Sequence, residues 1–121
     1  MMIVDIRHWL SDEGDLPVEN LRLRRQALRV ARFIEYGATL RPRQSRETLV
    51  ECTRRPGGRP CAGLLWVEKT QDDRIHVFCP RCRRDEALID GWRDTLWSDG
   101  MMEPLPDPDG VTTPAPGGQS N

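Results

Sequence analysis

The residues best equipped for chemistry are four cysteines, Cys52, Cys61, Cys79 and Cys82, all within residues 51–86 of a 121-residue chain. Cys79 and Cys82 form a tight CPRC, whereas Cys52 and Cys61 are separated by TRRPGGRP. A thiolate can bind a soft metal, exchange with a disulfide or pair as a structural disulfide. A closed tetrahedral metal site needs all four sulfurs at one point. A redox pair needs only CPRC, opening a helix after a strand. Disulfides need an oxidising compartment.

The elements that must position these cysteines read as strands. Glu47–Thr53, Gly63–Lys69 and Arg74–Cys79 are rich in β-branched and apolar residues, and QDD makes a polar turn between the second and third. A fourth short strand fits EALIDGW. A hairpin of the second and third strands brings Cys61, before one, beside Cys79, at the end of the other. Cys52 ends the first strand on the same side, so the four sulfurs can meet.

This pattern resembles the zinc-ribbon class over residues 47–92, with CPRC as one knuckle. The spacing of Cys52 and Cys61 departs from the usual two to four residues, and the Pro-Gly-Gly of TRRPGGRP allows the excess to loop out. The resemblance implies one structural Zn²⁺ held by Cys52, Cys61, Cys79 and Cys82. A thiol redox role for Cys79 and Cys82 is the alternative, although Arg83–Glu86 lead into a strand-like run rather than a helix. Disulfides or unrelated buried thiols are the third.

Four thiolates leave no open position for a metal-bound water, which argues against a catalytic zinc. The two histidines, His8 and His76, lack a partner in sequence that would mark a base, and His76 reads as a cross-strand residue. No nucleophile elbow or phosphate-cradling glycine loop is present. The expectation is a non-enzymatic module.

The net charge of −1 hides a segregation: residues 20–62 hold eleven arginines against three glutamates. LPVENLRLRRQALRVARFIEYG reads as an amphipathic helix over about 17–36. Pro17 would lie in its first turn, Glu19 near its positive end and Gly37 just past its close. Leu23, Ala27, Val30, Ala31 and Ile34 share one face, and Arg22, Arg25, Arg29 and Arg32 form a stripe opposite.

Around the cysteines lie Arg54, Arg55, Arg59, Arg81, Arg83 and Arg84. These arginines suit nucleic-acid phosphates or an acidic protein surface. They equally suit plain solvation of a helix face and compensation of a negatively charged zinc–thiolate centre. Trp66 reads as core, and Trp92 and Trp97 as packing for the sheet rather than a stacking platform.

The fold class expected is α+β: an N-terminal amphipathic helix packed on a small antiparallel, zinc-ribbon-like sheet. The organisation is an N-terminal segment over 1–46 with the helix and the basic linker ATLRPRQS, a β domain over 47–100, and an acidic, Pro/Gly-rich disordered tail over 101–121. No cationic leader precedes a long apolar run and no stretch is apolar enough to span a membrane, so a cytoplasmic location is expected.

Overall fold

The structure, a computed structural model, describes residues 1–105. Strict alternation of buried and exposed positions produces the strands. In β3 (Leu64–Lys69), Leu65, Val67 and Lys69 point inward, and in β4 (Ile75–Cys79), Ile75, Val77 and Cys79 do the same. With β1 (Met2–Asp5), β2 (Ser45–Glu51) and β5 (Arg84–Asp90) they form one five-stranded sheet ordered β1-β5-β4-β3-β2. β2, β3, β4 and β5 pair antiparallel, and β1 lies parallel to β5.

The one α-helix among the described residues, α1 (Leu21–Gly37), packs over β2, β3 and β4. Ala27, Val30, Phe33 and Ile34 meet Leu65, Val67, Ile75, Val77, Ala87 and Ile89 in the core. Burial of this apolar face is what holds helix to sheet. Trp92, in a 3-10 turn over Trp92–Asp94, seals one end, its indole N–H donating to Asp73 O at 2.7 Å. A second 3-10 turn, Ile6–Trp9, follows β1 and buries Ile6.

Several features differ from the sequence expectation. The sheet is larger and mixed rather than wholly antiparallel, because IVD pairs with β5 as a fifth, parallel strand. The helix starts at Leu21, not near residue 17, because Asn20 accepts the Leu23 N–H at 3.0 Å and so caps it. Pro17 and Glu19 therefore precede the helix. Gly37 is its last residue rather than the one beyond: a Cβ there would lie 3.1 Å from Ile75, so the glycine permits close helix–sheet approach.

β2 begins two residues early, within the basic linker, and Cys52 follows it instead of lying inside it. β5 likewise starts at Arg84. Trp66 lies half-buried on the face away from α1, where it pairs with Phe78 across the strands, rather than in the core. Trp92 is core and Trp97 packs against it.

Residues 101–105, expected in the tail, touch the body. Met101 N donates to Glu35 O at 3.0 Å, the buried Arg46 donates to Glu103 O at 2.8 Å, and Leu105 packs on the core. The rest of that tail lies outside the described residues. No helix among the described residues is long and apolar enough to cross a membrane.

Candidate metal centre

Cys52, Cys61, Cys79 and Cys82 converge at one end of the sheet, and their sulfurs all lie within 4.8 Å of one another. Cys52 follows β2, Cys61 precedes β3, Cys79 ends β4 and Cys82 closes the turn into β5. Across the site, Cys52 Sγ is 3.8 Å from Cys82 Sγ, and Cys61 Sγ is 3.6 Å from Cys79 Sγ. A tetrahedron with metal–sulfur bonds of about 2.3 Å has edges of roughly 3.8 Å, so the spacing is that of four ligands around one zinc-sized ion. It is far from the roughly 2 Å of a disulfide, and all four thiols are free.

The local backbone explains how the two differently spaced pairs reach this arrangement. TRRPGGRP folds out as a loop: a 3-10 turn over Pro56–Gly58 carries Gly57 and Gly58 at φ of 64° and 82° with open space around both. The loop closes where Cys61 N donates to Arg54 O at 3.0 Å, and Cys52 N donates to Gly63 O at 2.9 Å. The long spacing is thereby reduced to a tight approach.

The residue after the second cysteine of each pair is left-handed in both knuckles: Ala62 at φ 61° and Arg83 at φ 61°. Neither is glycine, and each holds a conformation that costs a side-chain-bearing residue energy. Gly63 fits where a Cβ would lie 2.9 Å from Arg81 Cβ and 3.1 Å from Cys79 Sγ. The two knuckles therefore nearly touch there.

Backbone amides point at the sulfurs. Those of Cys82 and Arg81 hydrogen-bond Cys79, that of Arg54 bonds Cys52 and that of Arg84 bonds Cys82. Such bonds favour thiolate. Burial pushes the Cys79 thiol up, but the Cys82 amide, the Cys61 thiol and the Arg81 amide outweigh it and bring it down to about 7. Burial pushes Cys52 up to about 12 and, with the Cys79 contact, raises Cys82.

Crowded thiols cannot all ionise on their own. A divalent cation at their centre removes that conflict. The donor set, its spacing and its amides thus fit one soft, four-coordinate metal ion.

The arginines divide into two groups. Arg22, Arg25 and Arg32 are exposed along α1, and Arg59 and Arg81 are exposed on the loop and the CPRC turn. Arg29 and Arg54 instead converge on Glu86, at 3.5 Å and 3.8 Å, joining the helix to the Cys52–Cys61 loop. Arg29 also lies over Phe33, 5.4 Å from the ring centroid. Arg54 donates to Asp85 O at 2.9 Å and Arg55 to Gly58 O at 2.9 Å. His76, between Asp85 at 2.8 Å and Glu68 at 3.6 Å, is a half-buried cross-strand residue, and His8 is exposed in its 3-10 turn.

Sequence reasoning missed the most unusual charged side chain. Lys69, 1% exposed, donates to Leu40 O at 2.9 Å and Ala38 O at 3.2 Å and lies 4.2 Å from the Trp92 ring centroid. It ties the residues after α1 to the sheet. The available signal was alternation, which puts Lys69 on the face of Leu65 and Val67. Compared with known proteins, the chain matches no family model, no curated protein and no solved structure, so the case for a metal rests on the four sulfurs and what surrounds them.

Proposed function

We propose that this chain is a small, non-enzymatic module in which Cys52, Cys61, Cys79 and Cys82 hold one structural Zn²⁺ and the surrounding arginines contact nucleic acid. The observation that carries the metal is the convergence of four sulfurs within 4.8 Å, with amides directed at three of them. Zinc is the ion a closed four-thiolate shell suits best in a stabilising role. Bound there, it would join the end of β2, the start of β3 and the β4–β5 turn, a link a small core profits from.

Support for nucleic acid comes from arginine placement. Arg22, Arg25 and Arg32 line the exposed side of α1, and the shared contact of Arg29 and Arg54 with Glu86 connects that stripe to the loop bearing Arg55 and Arg59. Guanidinium groups in such a band suit a phosphate backbone. The test is binding to mixed-sequence DNA and RNA oligonucleotides across a salt series. Affinity should fall log-linearly with salt, with a slope reflecting several phosphate contacts. Absence of binding at low salt would rule the nucleic-acid role out.

One observation favours a second reading, a protein-interaction module. The sheet face away from α1 carries half-buried Trp66, Phe78 and Leu88 beside exposed Ile3, with no described element covering it. A partner docking there would bind with little dependence on salt.

A further inference from the structure

We propose that the cavity between the Cys52–Cys61 loop and the Cys79–Cys82 turn is a binding site for a single phosphate group. The inference deepens the nucleic-acid reading and rests on it for the identity of the natural ligand. The cavity measures about 240 Å³ and is lined by Arg54, Arg55, Pro56, Cys82 and Arg84. That is about eight times the volume a water molecule occupies in the liquid, which accommodates a five-atom oxyanion and its ester carbons.

Three arginines and no acidic residue line this space. Of the nearby acids, Asp85 bonds His76 at 2.8 Å, and Glu86 meets Arg29 at 3.5 Å and the cavity's own Arg54 at 3.8 Å, leaving Arg55 and Arg84 without a carboxylate partner among the described residues. Arg54 is already engaged, meeting Glu86 at 3.8 Å and donating to Asp85 O at 2.9 Å, so it contributes charge at the rim while Arg55 and Arg84 supply the donors. Arg55 makes a bond to the Gly58 carbonyl.

Positive groups gathered around a recess, with donors to spare, are the chemistry that receives a phosphate oxygen. The Cys82 thiolate on the wall would oppose an anion. A divalent ion halves the formal charge of four thiolates and lessens that opposition, so metal loading and phosphate binding support one another. Fixed by the loop closure at Cys61 and by the first residue of β5, the three arginines are held by the same knuckles that hold the sulfurs.

The experiment uses the full, zinc-loaded chain and two probes, inorganic phosphate and a single-stranded oligonucleotide. Arginine Nε–H resonances are followed as phosphate is added, and affinities are compared for the native chain, Arg55→Gln, Arg55→Gln with Arg84→Gln, and Arg74→Gln at the opposite end of the sheet. The expected result is shifts confined to Arg54, Arg55 and Arg84. The double variant should lose at least about tenfold in phosphate affinity with zinc content unchanged, Arg55→Gln should fall between, and Arg74→Gln should match the native chain.

Equal binding by native and double variant, or shifts spread along Arg22, Arg25 and Arg32, would overturn the site. An oligonucleotide that binds the double variant as well as the native chain leaves the nucleic-acid role standing and removes the pocket from it. Phosphate bound at Arg55 and Arg84 without oligonucleotide binding supports the pocket and removes the nucleic-acid role.

Discussion

Cys61 Sγ lies 3.6 Å from Cys79 Sγ although the two residues are 18 apart in sequence. The β3–β4 hairpin brings them together, Cys61 lying just before β3 and Cys79 ending β4. The second cross-pair, Cys52 and Cys82 at 3.8 Å, supplies the opposite edge of the tetrahedron, and all four sulfurs lie within 4.8 Å of one another. Each cross-pair takes one cysteine from CTRRPGGRPC and one from CPRC, so neither segment alone makes the site.

Loss of one ligand should therefore undo the whole centre. Cys61→Ser and Cys82→Ser should each reduce metal affinity by more than the about 10–100-fold that changes outside the ligand set cost. Competition with a chromogenic chelator measures this. If Cys82→Ser kept native affinity, Cys82 would not be a ligand.

The left-handed residues in the knuckles make a prediction of opposite sign. Ala62 and Arg83 both hold φ 61° with a Cβ present. Ala62→Gly and Arg83→Gly should each stabilise the zinc-loaded chain by about 0.5–1 kcal/mol, the relief of left-handed strain less the entropy cost of glycine. Denaturant titration reads the change.

Gly63 and Gly91 admit no such freedom. Gly63→Ala would press a methyl group between Arg81 and Cys79 and should cost about 1–3 kcal/mol while weakening metal binding. Gly91 combines φ 72° with a Cβ position that collides with Asp5 and Arg7, which are themselves salt-bridged. Gly91→Ala should destabilise at least as much, with metal affinity in the folded fraction unaltered. Thermal melts paired with metal titration separate the two cases.

Lys69 gives stability a pH signature. Burial lowers its pKa from 10.5 to about 8. A lysine that is harder to protonate when folded takes up a proton on unfolding between about pH 8 and 10.5, so this group makes stability rise with pH across that window. Below about pH 8 its contribution is constant. Lys69→Met should abolish the rise and cost about 1–3 kcal/mol at neutral pH, because the Ala38 and Leu40 carbonyls lose their donor. Denaturation midpoints at pH 7.5 and 10 check both parts.

Much of this was legible in the sequence because it depends on local periodicity. Alternation marked β3 and β4, the helical stripe marked Ala27, Val30, Ala31 and Ile34, and hairpin logic brought Cys61 to Cys79. What escaped depends on distant contacts. IVDIRHWL suits a short strand or a helical turn equally in sequence, and only the parallel pairing with β5 makes its start a strand; Phe33 is buried by the sheet beneath it although it lies beside the arginine stripe. Trp66 looked like core, but the period of two that buries Leu65 and Val67 turns it to the opposite face. The charge of Lys69 suggests exposure, but register decides burial in a strand, and register places it with Leu65 and Val67.

The most direct test of the central claim is native mass spectrometry of the full chain purified without added zinc, followed by chelation monitored by circular dichroism. The prediction is one zinc ion per chain, with loss of sheet signal as the ion is withdrawn, since binding and folding at the cysteine end are linked. A metal-free chain with four reduced thiols and an undiminished sheet in the presence of chelator would contradict it.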